Sequence, residues 1–204
     1  MGAGLAFKDK VTRAIPDHQF FPTPDDGTVD VLLDSGFGPR SGVTIHEPAV
    51  GKWDIAKVLE RRGHTVIGSD IKDYGEPGRL THIEDFTERK SLRAISIITN
   101  PPYNAKDNNV GDRFIQNALD LNPTYLALLL KADFFNTAKS LKLFNATYGN
   151  SQFPRKPAAI LPLTWRPDFS GQGKPFLTVT WVVFDAAVSG PTRFIPLARP
   201  GRMR

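Results

Sequence analysis

The stretch Ala94-Ile95-Ser96-Ile97-Ile98-Thr99-Asn100-Pro101-Pro102-Tyr103 runs from an apolar, β-branched segment into two consecutive prolines. Ala94 to Ile98 has the composition of a buried strand. The prolines end it, because proline lacks the N–H that a sheet ladder needs and fixes its own φ. The outcome is a stiff turn at the carboxyl edge of a strand, presenting the Asn100 amide, the Pro101 carbonyl and the Tyr103 ring. In open α/β sheets, ligands bind at that edge.

Working outward, the chain alternates strands and helices. Strands are expected at Val43–His46, His64–Gly68, Leu80–Ile83, Ala94–Ile98, Tyr125–Leu130, Ala158–Leu163 and Phe176–Phe184. A short helix follows the aromatic–proline turn Phe20-Phe21-Pro22-Thr23-Pro24. A second carries Ile55, Val58 and Leu59 on one face and stops at Gly63, a C-terminal cap after Arg61 and Arg62. Further helices are expected from Asp112 to Leu121 and from Phe135 to Phe144. This alternation predicts an α/β fold, with a mostly parallel seven-stranded sheet and helices on both faces. No helix separates the last two strands, which are expected to pair antiparallel at one edge. The segment from Ser189 is rich in Pro, Gly and Arg and is expected to be a disordered basic tail.

The 204 residues fit one domain, with a core spanning about residues 20–185. The longest apolar run, Leu126 to Leu130, is far short of a membrane span. The first residues lack the pattern of a signal peptide, and the chain has no cysteine, so disulfides and thiolate–metal sites are excluded. A cytoplasmic protein is expected. The four histidines (His18, His46, His64, His82) show no ligand spacing, so no metal site is expected. The net charge of +5 favours a polyanionic partner such as nucleic acid, and equally describes an ordinary basic enzyme.

Three further clusters stand at expected strand ends. Glu47-Pro48-Ala49-Val50-Gly51 joins the first strand to a helix. It lacks the Gly-x-Gly-x-x-Gly and Gly-Lys-Ser/Thr patterns, and its acid suits a cationic ligand group where a phosphate would be repelled. The sulfonium cofactor S-adenosylmethionine fits, and so does a plain βα turn. Asp70, followed by Ile71, ends the second strand about 20 residues beyond Gly51, where a carboxylate can hold ribose hydroxyls. Asp85-Phe86 offers a carboxylate to an adenine amine and a ring to its face, or a cap beside a core phenylalanine. At Asn100 and Pro101, two adjacent oxygens can accept both hydrogens of an NH2 group, while Tyr103 can stack on a flat base.

In this order, Glu47-Pro48-Ala49-Val50-Gly51-Lys52-Trp53, Asp70, Asp85-Phe86 and Asn100-Pro101-Pro102-Tyr103 resemble the S-adenosylmethionine-dependent amino methyltransferases. The nearest likeness is to the small DNA N6-adenine methyltransferases of bacteriophages and prophages. The resemblance spans about residues 20 to 185. It implies a Rossmann-like methyltransferase fold, S-adenosylmethionine as cofactor, DNA as partner with RNA or a protein glutamine as alternatives, and a bacterial or phage-infected cytoplasm. It places catalysis on Asn100, Pro101, Pro102 and Tyr103. Cofactor contacts fall to Phe21, Thr23, Glu47, Pro48, Ala49, Gly51, Asp70, Ile71, Asp85, Phe86 and Asn100. Target contacts fall to Tyr103, Trp165, Arg166 and Phe169, and sequence readout to loops such as Asn104–Asn109 and Trp165–Lys174. Lys106, Arg113, Lys131, Arg155 and Lys156 are candidate phosphate contacts. One departure stands out: Trp53 occupies the position of the family's last turn glycine. A non-catalytic module that binds S-adenosylmethionine or nucleic acid is the alternative of a different class, although binding alone needs no amine acceptors.

Overall fold

Period-two burial builds the sheet. On the segment Tyr125–Lys131, Ala127 and Leu129 face one cluster, while Leu126, Leu128 and Leu130 face another. Such two-sided apolar strands are the mark of a sheet covered on both faces. A computed structural model of the chain describes residues 21–103, 109–138 and 156–201. Its strands are β1 (Thr44–Glu47), β2 (Thr65–Asp70), β3 (His82–Ile83), β4 (Ser96–Thr99), β5 (Tyr125–Lys131), β6 (Ala159–Pro162), β7 (Val179–Asp185) and β8 (Arg193–Phe194). They form one eight-stranded sheet in the order β3-β2-β1-β4-β5-β7-β6-β8. β3 through β5 run parallel, and β7 lies antiparallel between β5 and β6.

The helices that lie wholly among the described residues are α1 (Asp30–Asp34), α2 (Asp54–Arg61) and α3 (Val110–Asp120). α2 lays Ile55, Val58 and Leu59 on one face of the sheet, with Val29 and Leu32 of the α1 segment. α3 lays Phe114, Ile115, Ala118 and Leu119 on the other. α2 stops as expected at Gly63 (φ +87°), where Gly63 N–H donates to Glu60 O and His64 N–H to Leu59 O, the paired bonds of a Schellman cap.

Two expectations need correction. Residues 189–201 are not a loose tail: Arg193 and Phe194 pair parallel with β6, and Leu197 N–H donates to Pro162 O at 2.8 Å. Phe194-Ile195-Pro196-Leu197 is too short an apolar run to stand out against its Pro, Gly and Arg surroundings. The sheet therefore has an eighth strand, and the β6–β7 pair is not at its rim. Of the helix expected from Phe135, the first residues belong instead to a 3-10 turn over Ala132–Asn136, Ala138 is helical, and residues 139–144 lie outside the described residues. Among the described residues, no helix is long and apolar enough to cross a membrane, and no group of three or more acidic or histidine side chains is arranged to hold a metal.

Candidate active site

The carboxyl ends of β1, β2 and β4 are adjacent, because these strands are neighbours in the sheet and run the same way. They bring together Glu47, Asp70 and Asn100, which are far apart in sequence.

Asn100 follows β4 and is half-buried. Its side-chain nitrogen donates to Phe21 O and to Thr23 Oγ1, each at 3.2 Å. A backbone carbonyl can only accept, so the amide nitrogen must face Phe21, and Oδ1 is turned the other way. There Oδ1 accepts from Tyr103 Oη at 3.1 Å. An amide oxygen has a second lone pair, so one acceptor position remains for a ligand N–H. Phe21, Thr23, Asn100 and Tyr103 therefore meet at one place. Tyr103 is more enclosed than expected, at 9% exposed, with Phe21 tilted against its ring at 5.5 Å and the Lys131 ammonium over its face at 4.9 Å. Burial pushes its phenol well above the usual range, keeping the hydroxyl protonated and donating.

The turn after β1 has its own lock. Gly51 (φ +52°) donates its N–H to Asp70 Oδ2 at 2.9 Å, and Lys72 N–H reaches Asp70 Oδ1 at 3.4 Å. Both oxygens of the Asp70 carboxylate are thus turned to the backbone at the mouth of the site, one to the turn after β1 and one to the start of the segment beyond β2. Glu47 is 2% exposed beneath the N-terminus of α2, and its Oε2 finds no partner among the described residues. Burial raises its carboxyl well above the ordinary range. Asp54 adds to the shift, while the Ala56 backbone N–H opposes it. An orphaned, buried carboxyl oxygen beside a positive-φ glycine fits a cationic group from a ligand. Pro48 is buried and Ala49 half-buried in the same turn, and Ile71 stands 57% exposed beside Asp70, an apolar surface for a flat ring.

Asp85 is exposed and caps the 3-10 turn Phe86–Glu88, accepting from Thr87 N–H and Thr87 Oγ1. The ring of Phe86 departs from its expected role. It is 3% exposed and packs on Phe114 and His46, so it belongs to the core and cannot also lie on an adenine face. Phe169 is likewise 3% exposed, which removes it from the surface facing a target. Trp165 is half-buried and donates its indole N–H to Asp26 Oδ2 at 3.0 Å, leaving Arg166 as the exposed member of that trio. Arg113 and Lys156 are exposed and Lys131 half-buried, while Lys106, Arg155 and residues 104–108 lie outside the described residues.

Sequence reasoning missed a buried polar network under the Asp85 loop. His46 Nε2 lies 2.8 Å from Ser69 Oγ and 3.8 Å from Glu84. Glu84 binds Arg89 at 2.5 Å and Arg93 through two bonds at 3.0 and 2.9 Å. Burial alone would raise the Glu84 carboxyl, but Arg93, Ser69 and Arg89 outweigh it and hold it at about 2. Burial pushes His46 down to about 4, so it is neutral at pH 7. The only hint in the sequence was an acid within a few residues of two arginines.

No protein-family model matches the sequence, and no curated protein matches it either. Solved structures do. A putative RNA methyltransferase from Pyrococcus horikoshii aligns with a TM-score of 0.63 and 16% identity, over 85% of this chain and 91% of its own. A putative class I S-adenosylmethionine-dependent methyltransferase from Listeria monocytogenes aligns with a TM-score of 0.56 and 17% identity, over 89% of this chain and 66% of its own. A methyltransferase subunit of a type I restriction-modification system from Streptococcus thermophilus aligns with a TM-score of 0.56 and 14% identity, over 86% of this chain but only 47% of its own. The chain thus spans about two thirds of one of these neighbours and about half of another. With β7 reversed between β5 and β6, it has the Rossmann-like fold of the class I methyltransferases.

Proposed function

We propose that this protein transfers a methyl group from S-adenosylmethionine to the exocyclic N6 amine of adenine in DNA. The observation that carries the reading is the oriented Asn100 amide, with its nitrogen tied to Phe21 and Thr23 and its oxygen turned outward. It lies at the same sheet edge as the orphaned Glu47 oxygen and the Gly51–Asp70 lock.

When bound, S-adenosylmethionine supplies an electrophilic methyl on a sulfonium. Glu47 would face its cationic amino-acid end, Asp70 its ribose hydroxyls, and Asp85 and Ile71 its adenine. An aromatic amine is a poor nucleophile, because its lone pair is delocalised into the ring. Asn100 Oδ1 and the Pro101 carbonyl would accept its two hydrogens and favour a pyramidal nitrogen with the lone pair free to attack. As the N–C bond formed, the bond from the methyl to sulfur would break to leave the neutral thioether S-adenosylhomocysteine, and the amine proton would then depart to solvent, so no strong base is needed. The acceleration comes from positioning and fixed dipoles. Tyr103 would stack on the extruded base, which takes the place of the Lys131 ammonium on the ring, and Lys131 is then free to reach a phosphate.

The test is incubation of the purified chain with labelled cofactor and unmethylated duplex DNA, RNA or glutamine peptides, followed by digestion to nucleosides or amino acids. N6-methyladenine in the DNA arm supports the proposal. Label only in RNA or peptide moves the substrate class, and label nowhere refutes the reading.

A further inference from the structure

We infer that Trp53 is a positioning residue for the cofactor, the part that locks the segment 71–81 against the Gly51 turn and so sets the ribose and adenine end of the site. This rests on the cofactor reading above.

Trp53 holds a backbone conformation that favours glycine, φ +64° and ψ +25°, at the N-cap of α2. A bulky residue persists there only where its surroundings over-determine it. Here they do so on three sides. The indole is 4% exposed and lies directly over β2, where a Cβ added to Gly68 would meet two of its ring carbons at 2.6 and 2.9 Å. Its Nε1 donates to Thr81 Oγ1 at 3.1 Å, and Thr81 is itself buried. The Arg79 guanidinium stacks over the ring at 5.0 Å and also pairs with Glu60 of α2. A second ion pair, Lys57 with Glu76 at 2.6 Å, ties the middle of the same segment to the same helix.

The segment 71–81 begins next to Asp70 and ends at β3, and just after β3 Glu84 N–H donates back to the Asp70 backbone O at 2.9 Å. One end therefore reaches the Asp70 carboxylate that receives Gly51 N–H, through Lys72 N–H, and the chain just beyond the other end is tied to the backbone carbonyl of the same residue. Where a glycine would leave turn and segment independent, the indole joins them through Gly68, Thr81 and Arg79. Gly68 is the other half of the device, because any side chain there collides with the ring.

Titration calorimetry with S-adenosylmethionine, combined with amide exchange of residues 71–81, tests this on the full chain. Trp53→Gly is expected to weaken binding at least tenfold and to speed exchange across 71–81. The loss should fall on KM for the cofactor and not on kcat. Trp53→Phe, which keeps a ring over Gly68, should restore most of the affinity. Thr81→Val, which removes only the indole's acceptor, should weaken binding about threefold. Gly68→Ala should weaken binding in the unmodified chain and have no further effect in a Trp53→Gly background. Equal affinity and equal exchange in Trp53→Gly would overturn the inference. If that variant does not fold, unchanged affinity and exchange in Thr81→Val overturn it instead. Failure of the unmodified chain to bind S-adenosylmethionine would overturn the cofactor reading itself, whereas binding that is indifferent to Trp53 overturns only this step.

Discussion

The two halves of the sheet bury different chemistry. β1 and β2 carry His46, Glu47, Ser69 and Asp70 at no more than 9% exposed. β5 and β7 bury Leu126, Leu128, Leu129, Trp181, Val182, Val183 and Phe184, with Thr180 as the one polar exception between them. Burying a polar or ionisable group opposes folding unless partners compensate, whereas burying an aliphatic one favours it. The β5–β7 half therefore holds the molecule together, and the β1–β2 half holds groups whose use is to meet a ligand. Variants in the two halves should fail in different ways.

The largest separation is expected between Trp181 and Asn100. Trp181 is fully buried, and its Nε1 donates to Thr28 O at 2.8 Å. Trp181→Ala should cost about 3–5 kcal/mol in urea unfolding, while leaving cofactor affinity of the folded fraction unchanged. Asn100→Ala should do the reverse, holding the urea midpoint but lowering methyl transfer by about 10²–10³-fold, as for loss of one preorganised polar contact. Comparable stability losses in both variants would erase the contrast between the halves.

Acid should attack the β1–β2 half first. His46 has a folded pKa of about 4 against an ordinary value of 6.5, so between those values the unfolded chain binds the extra proton. Stability from this group is complete above pH 6.5 and falls by about 3 kcal/mol by pH 4. Glu84, held at about 2 against 4.5, continues the loss from pH 4.5 down to 2. Urea midpoints measured from pH 7 to pH 4 should trace the first limb, and His46→Gln should flatten it. A profile unchanged by that variant would mean that the histidine is not the acid-sensitive group.

A smaller effect is expected at Thr23, which takes one hydrogen of the Asn100 amide. Thr23→Val should slow transfer about fivefold, the worth of roughly 1 kcal/mol for a neutral hydrogen bond. Thr23→Ser should recover the rate, because it returns the acceptor. A valine variant as fast as the unmodified chain would show that Phe21 O alone orients the amide.

The contrast also explains what could be read from the sequence. The strands were legible because their apolar runs are long or alternate cleanly, as in Tyr125-Leu126-Ala127-Leu128-Leu129-Leu130. The motif residues at strand ends were legible because proline and glycine mark them. Side-chain direction was not. Phe86 and Phe169 could each face a ligand or the core, and only packing against Phe114 and the α1–α2 side decided for the core. The His46–Ser69–Glu84 network was hidden because its members sit on β1, on β2 and just after β3, and the adjacency of those strands is a tertiary fact. β8 was hidden because its pairing, not its composition, makes it a strand.

Glu47 gives the finest test of the comparison, because its two effects should have opposite signs. Its carboxyl is buried, raised above its ordinary value of 4.5, and half unpartnered. A group raised in this way keeps its proton longer in the folded chain than in the unfolded one. Stability is therefore lost as pH rises above 4.5 through the folded value. Glu47→Gln removes that loss while keeping an oxygen to accept from Ala56 N–H. The variant should unfold at a higher temperature than the unmodified chain, with a gap wider at pH 8 than at pH 5. It should also bind S-adenosylmethionine more weakly, because the cationic end of the ligand then meets a neutral amide. A residue kept only for folding would move stability and leave the affinity of the folded chain unchanged, as Trp181 should. Gain in one and loss in the other would mark Glu47 as a group whose burial is tolerated for the sake of binding.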